Sequence, residues 1–378
     1  MDLPDHAVQL FGDAARRPLE HDDPEPEAAR VRFLLDPDHT VHEHREHKRN
    51  VGEWTRLGRD AYHTLVYTII RPPRMLYSGT MLGPQQHRVG GRDVTRRDFE
   101  LHNGRGMTLP ASEWTPSGGD DGGPLVVFLH GNAASRCDAM GFGIVACAAA
   151  LGVSVLAFDF AGCGRAGGEF ISLGVREADD VEAAIDYALA RDPRRRVVLW
   201  GWSMGAAAAL LYCERHSSYG VRGLILDSSF SSFRRLAFDT IAPHASSAVT
   251  SVLYWKVRRD CARLAPEADF DAMNPIGAAA NVDVPAIFMT GSYDSVVPPE
   301  HTEELFKAYL GIDKRRVVFD GDHNDRRPPE CFAAASALLV RSLWLDGRPS
   351  DDAAPAAGAP PPGTGSAADE AASSVLPQ

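Results

Sequence analysis

Five short apolar runs constrain this chain more than any other feature: PLVVFLH (124–130), SVLAFDF (154–160), RVVLW (196–200), GLILDSS (223–229) and PAIFMTG (285–291). Runs of this kind, without a polar residue at every second place, mark strands buried on both faces, which belong to parallel sheets sheathed by helices. Helical spacing fills the gaps at about 135–151, 176–190, 203–212, 300–310 and 329–345, and RVVFDG (316–321) adds a further strand. Ahead of them, residues 94–114 read as a hairpin turning at Asn103-Gly104. The alternation predicts an α/β fold with a mostly parallel, doubly wound sheet. Chemistry in such sheets gathers at the carboxyl ends of the strands.

The 378 residues divide into an extension over 1–60, a domain over 61–345 and a tail over 346–378. The extension is polar and charged, and the tail is rich in Ala, Pro, Gly and Ser; neither composition can build a core, so both are expected to be disordered. Net charge is −12, of which residues 1–30 supply −5 and the tail −4. The body is therefore close to neutral, which argues against a nucleic-acid surface. The start of the chain lacks the basic and apolar segments of a signal peptide, and no apolar run is long enough to span a bilayer. A cytoplasmic location with free thiols is expected, since the six cysteines form no C-x-x-C pair.

Gly201-Trp202-Ser203-Met204-Gly205 is G-x-S-x-G set between an apolar strand and a helix that opens with four alanines. That context is what a nucleophile elbow requires: a sharp turn exposes the serine, and small residues let the helix close on the sheet. Serine needs a base. Of the fourteen histidines, His323 in DGDHN follows the last strand, from where a loop can reach the elbow. His216 and His244 come too early in the chain, and His301 sits in a predicted helix. His42, His44 and His47 have an H-x-H-x-x-H spacing that matches no named zinc motif, and they are read as a solvated charged segment. The base needs a carboxylate to hold its tautomer. Asp294, in GSYDSVVP after the penultimate strand, fits the order Ser–Asp–His, and Asp227 is its competitor. Asp159 precedes the serine and is read as a turn-former. Asp322 and Asp325, as chain neighbours of His323, are expected to splay away from it. An oxyanion needs two backbone donors, for which Met204 and Asn132 are the candidates; His130 then shapes the loop. Gly162-Cys163-Gly164-Arg165-Ala166-Gly167 matches G-x-G-x-x-G, but GEFISLG intervenes before any helix, so a dinucleotide site is rejected. Neither a cofactor nor a metal is expected.

The motifs HGNAASR, FDFAGCGRAGGEFISLG, GWSMGA, LDSSFSSFRRLA, GSYDSVVPPEHTEEL and FDGDHND resemble those of the α/β-hydrolase superfamily over about residues 62–345. The upstream IIRPPRMLYSGTMLG and FELHNGRGMTLPASEW look like the serine-aminopeptidase-like branch. Monoacylglycerol lipases and the alpha/beta-hydrolase-domain depalmitoylases resemble the chain more distantly. The resemblance implies Ser203, Asp294 and His323 as a triad, and Asn132 with Met204 as an oxyanion hole.

Residues 230–284 separate two core strands and are expected to form a helical lid. Phe230, Phe233, Leu236, Phe238, Ile241, Val249, Val252, Leu253, Tyr254 and Trp255 would supply its apolar face, and residues 231–264 carry a net charge of +4. Such a lid suits an acyl substrate, with peripheral contact to an anionic membrane surface as a further expectation. A helical lid packed on the core with a solvated charged face is the plainer alternative. Three functions follow in order: a serine hydrolase of esters or thioesters, an aminopeptidase-like peptidase, and a non-catalytic scaffold on the same fold.

Overall fold

In a computed structural model, residues 62–345 are described, apart from 64, 119–121, 242–245 and 267–268. The extension over 1–60 and the tail over 346–378 lie outside the described residues, as do His42, His44, His47 and His244. The described part belongs to one compact unit ending at Asp346.

The sheet begins with β1 (Gln86–Val89), β2 (Arg92–His102) and β3 (Thr108–Pro116). These pair antiparallel, and β3 pairs antiparallel with β5 (Ser154–Phe158). β4 (Leu125–Leu129), β5, β6 (Val197–Trp202), β7 (Val221–Asp227), β8 (Ala286–Gly291) and β9 (Lys314–Phe319) then run parallel in the order β5-β4-β6-β7-β8-β9. The strand order reverses at β4, which lies between β5 and β6. A crevice opens at the carboxyl ends of strands at such a switch point, and here it lies between the loop after β4 and the turn after β6.

β4, β5, β6 and β8 are buried along their whole length. Alternation sends their side chains into two cores. Leu125, Val127 and Leu129 of β4 face one, and Val126 and Phe128 the other. Helices α1 (Ile144–Ala150), α2 (Glu177–Arg191), α3 (Met204–Arg215), α7 (Pro299–Ala308) and α8 (Pro329–Val340) cover the sheet. In α2, Val181, Ala184, Ile185, Ala188 and Leu189 make the buried stripe. Glu177, Asp179 and Asp180 at its start and Arg191 at its end suit the helix dipole.

Several expectations are corrected. The helix over 135–151 is two pieces, a turn at Asp138–Gly141 and α1, because Gly143 has φ +77° and breaks the ladder. The hairpin does not turn tightly at Asn103-Gly104. His102 pairs with Thr108, and Asn103 Oδ1 accepts the N–H groups of Arg105 and Met107 at 3.0 and 2.9 Å, closing a wider loop. Strand β1 was not anticipated, although Gly90-Gly91, with φ +59° and +76°, is a sequence signal for the two-residue turn that joins it to β2.

The insert between β7 and β8 carries α4 (Phe233–Ile241), α5 (Ser247–Leu264) and α6 (Pro275–Ala279). Its apolar residues do not form one face. Thr250, Val257 and Cys261 of α5 are buried, with Phe233 of α4. Val249, Val252 and Trp255 lie on the other side of α5, with 55%, 67% and 54% of their surfaces exposed. Helical geometry turns residues spaced 250, 257 and 261 one way and those at 249, 252 and 255 another. Among the described residues, no helix is long and apolar enough to cross a membrane.

Candidate active site

Ser203 occupies the turn between β6 and α3 with φ +54° and ψ −115°. A side chain seldom adopts this conformation, and it persists only where the surroundings enforce it. Here the Ser203 N–H donates to the Asp227 carbonyl at 2.8 Å, holding the turn to the end of β7. A Cβ on Gly201 would stand 2.5 Å from Ala206 N and Cα, and one on Gly205 would stand 2.1 Å from Leu129 O. Both glycines are therefore demanded by backbone contact, and the fully buried Ala206–Ala209 let α3 close on β4 and β6.

His323 projects from the loop after β9, and its Nδ1 lies 2.8 Å from Asp294 Oδ2. The other carboxylate oxygen of Asp294 accepts the N–H groups of Val296 and Val297 at 3.0 and 2.7 Å. An ionised carboxylate only accepts, so Nδ1 carries a proton, and in the neutral ring Nε2 then keeps a lone pair. Both side chains are almost wholly buried. Among the described residues, Ser203 Oγ and His323 Nε2 form no hydrogen bond to each other; such bonds are often long before substrate arrives. The ring of Trp202, next to Ser203, lies 5.6 Å from that of His323.

The rival acid has a different role. Asp227 takes both arms of Arg327, Nε at 2.8 Å and Nη2 at 2.9 Å. Arg327 Nη2 also donates to the His323 carbonyl at 3.0 Å. Asp227 thus anchors the loop that carries His323, while Asp294 holds the ring itself. Burial of the guanidinium works against its charge, but Asp227 outweighs it and raises the Arg327 pKa.

Asp322 does not splay free, contrary to expectation. It accepts the Ser295 N–H at 2.7 Å and the His323 N–H at 2.7 Å, bracing the Asp294 turn against the His323 loop. Burial opposes its charge, but these hydrogen bonds prevail and hold its carboxyl below the usual range. The same two loops touch at Gly291, where a Cβ would stand 2.2 Å from Gly321 O. Arg327 and Asp322 are the residues that sequence reasoning missed. Their nearness to His323 in DGDHNDRRPPE is the available signal, but the partners Asp227 and Ser295 lie elsewhere in the chain.

On the other side of the crevice, His130 is fully buried, and burial pushes its pKa down. Its Nδ1–H donates to Gly131 O at 2.7 Å and its Nε2 accepts the Phe160 N–H at 3.0 Å, so both nitrogens shape the loop. Gly131 lies against Trp202, leaving no room for a Cβ. In this loop the Asn132 N–H has no hydrogen-bond partner among the described residues; nor does the Met204 N–H, at the open start of α3. His301 is buried far from this loop. It accepts the Ser231 N–H at 3.0 Å, and its Nε2 lies 3.1 Å from Asp239. In the G-x-G-x-x-G segment, a Cβ on Gly164 would stand 2.5 Å from the Asp159 carboxylate, which accepts the Arg136 and Arg165 N–H groups. Among the described residues, no cluster of His, Cys, Asp and Glu is arranged to hold a metal.

The family model described as "Alpha/beta hydrolase family" matches residues 126–362. The chain is similar to the uncharacterised protein YqkD of Bacillus subtilis, 27% identical over 185 residues, covering 46% of this chain and 56% of YqkD. It is 26% identical over 204 residues to the uncharacterised protein YfhR of Escherichia coli, covering 53% of this chain and 63% of that one. It is also 27% identical over 223 residues to the lysophosphatidylserine lipase ABHD12 of Xenopus tropicalis, covering 53% of each. The chain thus spans between half and two-thirds of the length of these relatives. Among solved structures, the Pyrococcus furiosus esterase Pf2001 superposes with a TM-score of 0.54 at 21% identity, over 72% of this chain and 99% of that one. At that identity the likeness is one of fold.

Proposed function

The chain belongs to the alpha/beta hydrolase family, and from that premise we propose that it is a serine hydrolase acting on carboxylic ester or thioester bonds through an acyl-enzyme on Ser203. One observation carries the reading. His323 Nδ1 is clamped to Asp294 at 2.8 Å, at the carboxyl end of the sheet where Ser203 stands in its enforced turn. Ser203 Oγ attacks the acyl carbon as its proton passes to His323 Nε2. The developing oxyanion takes the Asn132 and Met204 N–H groups, whose lack of a hydrogen-bond partner among the described residues supports that role. Collapse releases the alcohol or thiol, protonated by His323. Water, deprotonated by the same imidazole, then frees the acid and restores Ser203. Asp294 orients the ring and stabilises its charged form throughout.

The test is covalent labelling with a fluorophosphonate probe, followed by turnover of p-nitrophenyl esters, acyl thioesters and aminoacyl anilides. The wild type is expected to be labelled and to cleave esters or thioesters. Ser203→Ala should lose labelling and several orders of magnitude of kcat. Labelling that persists in Ser203→Ala overturns the assignment. Turnover confined to aminoacyl anilides moves the protein to the peptidase class, and absence of both labelling and turnover leaves the scaffold.

A further inference from the structure

Arg136 lies in the same loop as Asn132 and keeps only 6% of its surface exposed. Its Nε and Nη1 are buried without a hydrogen-bond acceptor. Arg96, Arg195 and Arg327 are comparably buried, and each faces a carboxylate: Asp98 at 3.0 Å, Glu113 at 2.8 Å and Asp227 at 2.8 Å. Among the described residues, no carboxylate forms a salt bridge with Arg136. A buried cation left uncompensated costs several kcal/mol.

A second cation shares its aromatic neighbour. The guanidinium carbons of Arg136 and Arg165 lie 5.6 and 4.8 Å from the centre of the same Tyr77 ring. Asp138 and Asp159 are both buried near this loop, and the oxygens of Asp159 already accept hydrogen bonds. Asp159 Oδ1 accepts the Arg136 backbone N–H, and its Oδ2 accepts the Arg165 backbone N–H and the Tyr77 hydroxyl, at 2.7 to 2.9 Å. Arg74 is spent on the carbonyls of Ala166 and Gly168, in the loop that carries Arg165, and Arg165 itself donates from Nη2 to the Tyr77 carbonyl. The ring offsets part of the cost through cation–π attraction, but Nε and Nη1 of Arg136 keep no acceptor among the described residues.

Its position relates it to Ser203. Asp159 follows β5, the Asn132–Arg136 loop follows β4 and Ser203 follows β6, and these three strands are adjacent and parallel. Two strand spacings put the end of β5 about 10 Å from the end of β6. The loop that carries Arg136 follows β4, between these two ends, so Arg136 and Ser203 share the carboxyl-end rim of adjacent strands.

We propose that Arg136 and Arg165 form a subsite for an anionic group, a carboxylate or a phosphate, carried by the substrate of the hydrolase. This rests on the reading of Ser203 given above and narrows it to substrates with an anionic group within reach of the scissile bond. The planar guanidinium fork matches the oxygens of either anion, and a desolvated Arg gains most from such a partner.

The experiment compares kcat/KM for matched esters of one acyl group whose alcohol is neutral, carboxylated or phosphorylated. Stabilisation of each protein by inorganic phosphate is measured in parallel by thermal unfolding. Charge-assisted hydrogen bonds of this kind correspond to a preference of about tenfold or more for an anionic ester over the neutral one. Arg136→Gln should collapse that ratio, Arg136→Lys should restore part of it, and phosphate should cease to raise Tm in Arg136→Gln. The ratio is insensitive to the fraction of folded protein. If Arg136→Gln does not fold, the exposed Arg165→Gln should still lower the ratio. Preference for the phosphorylated over the carboxylated ester, or the reverse, identifies the anion. Failure of every ester to react, with phosphate still stabilising the wild type but not Arg136→Gln, removes the hydrolase and leaves the anion site standing. A wild-type ratio near one, or a ratio and phosphate response unchanged in all three variants, overturns the subsite.

Discussion

Asp227 closes β7 and Asp294 follows its neighbour β8, yet one carboxylate faces a guanidinium and the other an imidazole. Their substitutions should therefore separate chemistry from stability. Asp294→Asn keeps the shape but loses the acceptor that fixes the His323 tautomer, and kcat is expected to fall by about 10⁴. Asp227→Asn leaves Arg327 buried without its counter-charge, which costs about 3–5 kcal/mol. Its kcat should fall far less than that of Asp294→Asn, while its unfolding midpoint drops. Steady-state kinetics and urea unfolding on both variants check this. A larger kinetic loss in Asp227→Asn would move the orienting role to that residue.

At the level of elements, the approach of α3 to β4 is what makes the Ser203 turn possible. Gly205→Ala places a methyl 2.1 Å from Leu129 O, where the obstacle is backbone and cannot swing aside. The expected loss is at least about 1–3 kcal/mol, read as a lower denaturant midpoint with an unchanged m-value. Gly104→Ala, with nothing within 4 Å, is the control and should be close to neutral. A second joint ties the insert to the core: His301 of α7 meets Ser231 and Asp239, and Arg235 of α4 bridges Asp239 and Glu304 at 2.7 Å. Burial, prevailing over Asp239, lowers the His301 pKa, with Arg235 acting in the same direction and Glu304 against it. The unfolded chain therefore takes up this proton first as pH falls below about 6.5. Stability held above that pH is lost progressively down to the lower folded pKa and then levels off. His301→Gln should flatten the fall of Tm over that window, and identical profiles in the two proteins would rule out His301 as the source.

For the whole molecule, the insert leaves the sheet at the carboxyl end of β7, beside Ser203. Its aromatic cluster joins Phe233 to Tyr254 and Phe270, with ring centres 5.9 and 5.1 Å apart. If this cluster borders the acyl site, kcat/KM should rise from acetyl to hexanoyl esters, by up to about 0.8 kcal/mol per methylene. A flat series or a preference for acetyl would confine the insert to a structural cover.

The fold class was legible in the sequence because apolar runs without alternation leave a strand no option but burial on both faces. The Ser203 turn was equally legible, since small residues at fixed offsets are a local signature of close backbone approach. Chain order alone also pointed to Asp294 and His323 as partners, and tertiary structure brings them within 2.8 Å. What the sequence left open were pairings between residues remote in the chain. Arg327 meets Asp227 across one hundred residues, and Ser295 meets Asp322 across 27. The apolar residues of α5 were visible, but which of them the core would take depended on helix rotation against its neighbours; Trp255 went to the surface and Val257 inward. Charge is visible in a sequence, but its compensation is a matter of distance and burial. Only the folded chain therefore reveals that Arg136 is buried with its Nε and Nη1 lacking an acceptor among the described residues.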